Sequence, residues 1–220
     1  MERILNPELD RIVLAALATR YKLLEKREGI HLSSLNYCLT KSYFDQVSPI
    51  DPTDTELLNF ATGYGLQEIM FPAEMKTFEK DNILYRPDGV IQVNVRDIQL
   101  IEIKSTRSGV KRYQEGNLPE TWITYMKGGC CIRETETYNL SVIYLAERPS
   151  ARIISETILF EPEEIKSNWL WILSRKEDLE KALRDKVPPQ PFTTAPAWMC
   201  ESCRYKVICD AVIMLQGGKE

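Results

Sequence analysis

The sequence predicts an α/β fold in which a mixed central sheet is flanked by helices. Apolar residues recur at helical spacing over the first seventy positions. The middle of the chain changes to short runs of β-branched and apolar residues separated by polar turns. Helical periodicity returns near residue 119 and again after residue 161. Helices that alternate with short strands in this order are typical of α/β proteins.

Three helices are expected before the first strand. Asn6-Pro7 is a typical helix start, and apolar residues then recur at helical spacing until Gly29. A second, shorter helix begins at Ser33 or Ser34 and carries Cys38. The third is expected over about Glu56 to Met70.

Five strands are expected in the middle of the chain. Three come first, and a helix from Pro119 to about Cys131 separates them from two more. The five are predicted at Met75 to Phe78, Ile83 to Val93, Ile98 to Ile103, Leu140 to Ala146 and Arg152 to Phe160.

A long amphipathic helix and a cysteine-containing tail complete the chain. Glu161-Pro162-Glu163 opens the helix, which runs to about Lys186, and its acidic first turn suits the helix dipole. A proline-rich connector from Pro188 to Pro196 leads to the tail. We therefore divide the chain into an N-terminal helical region (1–72), a central core (73–186) and a C-terminal cysteine tail (187–220).

The composition is that of a soluble globular protein. The chain has 220 residues, of which 44% are hydrophobic and 27% charged, enough to bury a core. Its first ten residues lack the basic stretch of a secretory signal, and Ile12 to Ala18 is too short to span a bilayer. We expect a cytoplasmic protein without a membrane partner, in which reduced thiols bind metal rather than form disulfides.

The net charge of −4 provides no general attraction to nucleic acid, so any contact must come from a local basic surface. A run from Lys104 to Tyr113 has four basic residues and no acidic one. Arg107, Lys111 and Arg112 are therefore the candidate DNA-binding residues. A solvated loop is the alternative interpretation of this run.

A carboxylate and lysine motif is the first candidate for catalysis. Glu102 and Lys104 are two residues apart, so in a strand they share a face. Asp88 lies at a Pro-Asp-Gly turn that can direct its carboxylate toward that face. Two carboxylates and the backbone carbonyl of Ile103 form a hard-oxygen site that suits Mg²⁺ or Mn²⁺, and a lysine beside it can stabilise charge on a phosphate. Each motif alone is also common as a surface feature.

Four cysteines form the second candidate site. Cys38 stands alone, whereas Cys200, Cys203 and Cys209 follow a Cys-x2-Cys-x5-Cys pattern. Thiolates at such positions suit zinc or an iron–sulfur cluster. The remaining pair, Cys130-Cys131, is expected to be buried at a helix end.

Pro87-Asp88-Gly89 followed by Glu102-Ile103-Lys104 resembles the PD-(D/E)xK nuclease superfamily and its RecB-like exonuclease branch. With the four cysteines, the chain is similar to the RecB-like CRISPR-associated exonucleases, the fourth Cas protein family, from Leu32 to Asp210. The resemblance implies a restriction-endonuclease-like core that acts on single-stranded DNA ends. Its context would be either CRISPR spacer acquisition, with CRISPR integration proteins as partners, or DNA end processing. It also implies Mg²⁺ or Mn²⁺ on Asp88 and Glu102, catalysis by Lys104, and a 4Fe–4S cluster on the four cysteines that joins the N-terminal helices to the tail.

The sequence departs from that family at three positions. Gln67 stands where the family has a histidine, and Tyr125 and Gly129 replace a Gln-x-x-x-Tyr pair. These changes allow a second function, a nuclease-fold subunit that binds DNA or a partner and cleaves weakly. Glu74 could supply a further acid, and the chain's one histidine, His31, is expected to be a surface or capping residue.

Overall fold

The computed structural model describes residues 7–24, 28–71, 76–94, 97–114, 118–189 and 197–217, and it confirms a mixed α/β architecture. In chain order the helices and strands are α1 Pro7–Leu24, α2 Leu32–Asn36, α3 Leu39–Val47, α4 Asp54–Met70, β1 Phe78–Lys80, β2 Ile83–Tyr85, β3 Gly89–Asn94, β4 Asp97–Thr106, α5 Lys111–Gln114, α6 Glu120–Arg133, β5 Thr137–Tyr144, β6 Arg152–Leu159, α7 Pro162–Asp185, α8 Ala197–Glu201 and α9 Lys206–Gly217.

A four-stranded sheet forms the centre of the molecule, in the order β3-β4-β5-β6. The two inner strands, β4 and β5, are parallel, and both outer strands are antiparallel to their neighbours. The parallel pair needs a crossover connection, which contains α6. The sheet is therefore mixed, and its register places Glu102 of β4 opposite Leu140 of β5.

The expected strand from Ile83 to Val93 is in fact two strands in different sheets. Its first part is β2, which pairs with β1 as a separate hairpin, and its second part is β3 of the main sheet. The chain leaves strand conformation at Arg86 and Pro87, where the proline has no N–H to donate to a ladder. This interruption is what brings Asp88 to the start of β3.

The expected second helix is also divided. It consists of α2 and α3, and Cys38 is the residue that precedes α3. The expected third helix is α4. It begins at a capping box in which the side chains of Thr53 and Glu56 each accept a hydrogen bond from the other residue's backbone N–H. In the predicted tail, α8 and α9 are additional helices within a segment that was expected only as a cysteine run.

One apolar cluster joins the helices to the sheet. Helices α6 and α7 pack against each other, and both contact α2. Helices α2, α6 and α7 and strands β4 and β5 all contribute deeply buried members, among them Leu32, Leu35, Met126, Cys130, Ile172, Leu179, Leu100 and Leu140. In the described ranges, no helix combines the length and apolar character needed to cross a bilayer.

The C-terminal tail packs against α3 and the segment before α4. Tyr205 is fully buried, its ring stacks on Phe44 with centroids 5.4 Å apart, and its hydroxyl donates to Asp45 Oδ1 at 2.8 Å. The guanidinium of Arg204 donates to the Ile50 carbonyl at 3.0 Å. Protein contacts alone therefore connect the tail to the N-terminal region.

Candidate active site

Asp88 immediately precedes β3 and is held against β4. Its Oδ2 accepts a hydrogen bond from the backbone N–H of Ile103 at 2.8 Å. The neighbouring Gly89 pairs with Ile101, and a Cβ added at Gly89 would lie 2.7 Å from Ile101 Cγ2. Only glycine allows this close approach of β3 to β4, which keeps the Asp88 carboxylate beside the strand that carries Glu102 and Lys104.

Glu102 and Lys104 share one face of β4 and form an ion pair. Glu102 is only 2% exposed, and its Oε2 also accepts a hydrogen bond from the hydroxyl of Tyr138 at 3.3 Å. Burial, and then the nearby negative charge of Asp88, raise the pKa of Glu102 from 4.5 to about 7. Burial alone would lower the pKa of Lys104, but the Glu102 carboxylate raises it above its ordinary value.

Two residues at which the chain departs from the resembled family lie beside this motif. The side-chain amide of Gln67 donates to the Asp88 carbonyl at 3.4 Å. The hydroxyl of Tyr125 donates to the Arg86 carbonyl at 3.3 Å, and Lys104 Nζ is 5.8 Å from the Tyr125 ring centroid. Both side chains therefore contact the Arg86–Asp88 segment or the lysine of the motif.

These groups line one open cleft with a volume of about 590 Å³. Asp88, Glu102 and Lys104 lie on its sheet side together with Gln67 and Tyr125. The cleft also has lining residues from α2, α4 and nearby segments: His31, Ser33, Tyr37, Phe60, Tyr64 and Arg86. In one cleft, the carboxylate pair can bind a cation, the lysine can contact a phosphate, and the aromatic rings can stack on a nucleobase.

His31 is more closely associated with the cleft than the sequence predicted. His31 is the residue before α2, but its side chain makes no capping hydrogen bond to that helix. A ring nitrogen lies 3.2 Å from the Glu28 carbonyl oxygen, and the residue forms a parallel β-bridge with Leu84. This pairing, across more than fifty residues of sequence, brings His31 to the cleft.

The three predicted DNA-binding residues are not among the residues that line the cleft. Arg107, Lys111 and Arg112 are exposed on the segment that follows β4, and Arg112 donates to Ser108 Oγ at 3.2 Å. Their role in DNA binding remains a prediction. Glu74, the possible further acid, lies outside the described residues.

The four cysteines with metal-binding spacing lie in one region. Cys38 precedes α3, and the other three belong to the tail. Burial raises the pKa of Cys209 to about 11, and the thiols of Cys38, Cys203 and Cys200 contribute to the shift. Within the part of the chain that the structure describes, however, no three His, Cys, Asp or Glu side chains are arranged to hold a metal ion. The thiols are thus neighbours without a closed ligand set.

Comparison with known proteins supports the fold. The crystal structure of SSO0001 superposes with a TM-score of 0.57 at 18% sequence identity, covering 93% of this chain and 97% of that one. The alkaline exonuclease LHK-Exo from Laribacter hongkongensis gives a TM-score of 0.49 at 11% identity, covering 72% of this chain and 91% of its own.

A phage-related exonuclease from Haemophilus somnus 129PT gives a TM-score of 0.43 at 9% identity, covering 72% of this chain and 96% of its own. No protein-family model and no curated protein matches the sequence. The superposition on SSO0001 alone, with its TM-score of 0.57, shows that this chain shares that overall fold.

Proposed function

We propose that this protein is a metal-dependent deoxyribonuclease of the PD-(D/E)xK type, which degrades DNA from single-stranded ends. The observation that carries the proposal is the convergence of Asp88, Glu102 and Lys104 in one cleft. Asp88 is fixed by the N–H of Ile103, and Glu102 is paired with Lys104. Lys104 compensates only one of the two neighbouring carboxylate charges, so the pair retains a net negative charge that favours a cation-binding role.

The donor set fits Mg²⁺ or Mn²⁺. Carboxylate oxygens of Asp88 and Glu102, with the carbonyl of Ile103, would hold the ion, because hard divalent cations prefer oxygen ligands. The pKa of Glu102 is raised by burial and by repulsion from Asp88. A bound cation would stabilise the ionised form of Glu102 and so lower this pKa. When bound, such an ion polarises a phosphate and lowers the pKa of water.

Side chains of the chain itself supply the remaining functions. The ion pair with Glu102 holds the Lys104 ammonium group at the cleft surface. From this position it can stabilise negative charge on the phosphate that reacts. The aromatic rings of Tyr37, Phe60 and Tyr64 on the cleft wall offer surfaces for unpaired bases. This arrangement suits single-stranded DNA better than a rigid duplex.

The cysteines would hold a 4Fe–4S cluster with Cys38, Cys200, Cys203 and Cys209 as ligands. The support is the common region in which the four thiols lie and the affinity of thiolates for iron. The cluster would reinforce contacts that already connect the tail to α3. By the resemblance of its motifs, the protein would work in the cytoplasm, either in CRISPR spacer acquisition together with the integration proteins or in other DNA end processing.

A second candidate is a nuclease-fold subunit that binds DNA and cleaves weakly. The observation that favours it is Gln67, whose amide donates to the Asp88 carbonyl and has none of the basicity of an imidazole. Gln67→His separates the two candidates. A large gain in cleavage would favour the weakly active subunit, whereas little change would favour the enzyme.

The direct experiment measures degradation of three substrates in the presence of Mn²⁺, Mg²⁺ or EDTA. They are an end-labelled linear single strand, an end-labelled duplex and a circular single strand. The proposed enzyme degrades the linear single strand from its ends with either metal and leaves the circle intact. Binding of the linear strand in EDTA is measured in parallel. Tight binding without degradation in either metal would support the second candidate instead.

A further inference from the structure

A buried pair of tyrosines lies behind Glu102. Tyr85 of β2 and Tyr138 of β5 are 1% and 0% exposed, and their hydroxyl groups are hydrogen-bonded to each other. Tyr138 also reaches Glu102, with its hydroxyl 3.3 Å from Oε2. The three side chains therefore form a continuous hydrogen-bonded chain that ends on a carboxylate of the candidate active site.

When Glu102 is ionised, the chemistry of the groups fixes the direction of this chain. An ionised carboxylate only accepts hydrogen bonds, so Tyr138 donates its one proton to Glu102. Tyr138 then has no proton left for its other partner, and Tyr85 must donate to the Tyr138 oxygen. Both hydroxyls are thus used in a single orientation.

The two oxygens of Glu102 have different donors. Lys104 donates to Oε1 and Tyr138 donates to Oε2. A carboxylate held at both oxygens cannot rotate freely about its terminal bond, and the lone pairs that remain have a fixed direction. Asp88 is held in a comparable way by the N–H of Ile103.

Gly129 of α6 makes room for the tyrosine pair. A Cβ added at this glycine would lie 2.7 Å from the Tyr85 hydroxyl oxygen and 2.9 Å from Tyr138 Cε2. Contacts this short would force the rings to move. The absence of a side chain at Gly129 is therefore a condition for the hydrogen-bonded chain as it stands.

We propose that Tyr138, oriented by Tyr85 in the space left by Gly129, is a positioning residue that sets the orientation of Glu102 for a divalent cation. The inference rests on the proposed function of the same site. Tyr138 is buried behind the carboxylate and is not among the residues that line the cleft, so it acts through Glu102 rather than on the substrate. Partners that orient metal ligands in this way typically change metal affinity by about 10–100-fold when removed.

The test compares Tyr138→Phe, Tyr85→Phe and Gly129→Ala with wild-type protein. Tyr205→Phe is the matched control. It also removes a buried tyrosine hydroxyl that donates to a carboxylate, but this hydroxyl lies in the tail and its acceptor is Asp45. The readouts are Mn²⁺ affinity by calorimetry on DNA-free protein, the Mn²⁺ concentration for half-maximal cleavage, and the thermal midpoint as a check of folding.

We expect Tyr138→Phe to weaken Mn²⁺ binding by about 10–100-fold, with cleavage recovering at high Mn²⁺. Tyr85→Phe should have a smaller effect, because Tyr138 can still donate to Glu102. Gly129→Ala should weaken binding although both hydroxyls remain, and Tyr205→Phe should leave it unchanged.

Wild-type Mn²⁺ affinity in a folded Tyr138→Phe protein would overturn the positioning role and leave the proposed function intact. Tight Mn²⁺ binding by a wild-type protein that does not cleave DNA would overturn the proposed function, while the affinity series would still decide the role of Tyr138. A wild-type protein that binds no Mn²⁺ would overturn both.

Discussion

The carboxylate of Asp88 and the backbone N–H of Ile103 are joined by a 2.8 Å hydrogen bond that links the start of β3 to the middle of β4. This bond fixes the first carboxylate next to the residue that separates Glu102 from Lys104. The turn that carries Asp88 is therefore joined directly to the strand that carries Glu102 and Lys104. The geometry of the site depends on Asp88 both as a charge and as a hydrogen-bond acceptor.

These two roles of Asp88 can be separated. Asp88→Asn keeps an acceptor oxygen but removes the charge, so we expect a folded protein with little Mn²⁺ binding. Asp88→Ala removes both and leaves the Ile103 N–H without its partner, which should cost about 1–3 kcal/mol of unfolding free energy. Urea denaturation and Mn²⁺ calorimetry on both variants check this. Equal stability of the two variants would contradict the structural role of the bond.

The raised pKa of Glu102 predicts a specific dependence of stability on pH. Because the folded state holds the Glu102 proton up to about pH 7, whereas the unfolded state loses it near 4.5, folding binds a proton between these values. The metal-free protein should therefore lose stability as pH rises from about 4.5 to 7, by on the order of 3 kcal/mol.

The matched variant for this effect is Glu102→Gln, which cannot titrate. Urea denaturation in EDTA at pH 5 and pH 8 should show a smaller loss of stability in Glu102→Gln than in wild type. The difference between the two proteins removes the contributions of all other titrating groups. An identical loss in both would mean that Glu102 ionises with an ordinary pKa.

The exposed basic residues after β4 should hold the DNA backbone. Lys111→Ala with Arg112→Ala is expected to weaken binding of all sequences and to flatten its salt dependence, by about 0.7 units of slope for each phosphate of the single strand that is no longer neutralised. The control is Lys181→Ala with Arg184→Ala, which removes two exposed basic residues from α7. The salt slope is measured by fluorescence anisotropy, and equal slopes in both double variants would assign Lys111 and Arg112 to a solvated loop.

The proposed 4Fe–4S cluster predicts that residues distant in sequence behave as one unit. Cys38→Ser should release iron as completely as Cys203→Ser, whereas Cys131→Ser should leave the iron content unchanged. The tail should remain docked in all three, because Tyr205 and Arg204 connect it to α3 and Ile50 without metal. Iron per chain and limited proteolysis measure the two effects, and full iron retention in Cys38→Ser would exclude that cysteine as a ligand.

Local rules predicted a large part of the site. Glu102 and Lys104 share a face because alternate residues of any strand do, and Asp88 joins them through a turn close in sequence. The mixed sheet and the long helix α7 follow from the change in apolar periodicity and from Pro162 in the first turn. The strand expected from Ile83 to Val93 contains no break between β2 and β3, although Pro87 is a local signal for one.

The rest depends on contacts between segments far apart in sequence. Tyr138 reaches Glu102 only through the register of β5 against β4, and that register cannot be deduced from either strand alone. His31 reaches the cleft through its bridge to Leu84. In the sequence, Gly129 is only a departure from the resembled motif. The structure shows that a side chain there would collide with the Tyr85 hydroxyl.

The central claim, that this cleft hydrolyses DNA, is tested most directly by Lys104→Ala beside Lys127→Ala. The two lysines are 21% and 17% exposed and each pairs with a glutamate, but only Lys104 lines the cleft. Degradation of end-labelled single-stranded DNA with Mn²⁺ should fall at least about 100-fold in Lys104→Ala and remain at the wild-type level in Lys127→Ala, with both proteins folded. Undiminished degradation by Lys104→Ala would contradict the assignment of this site.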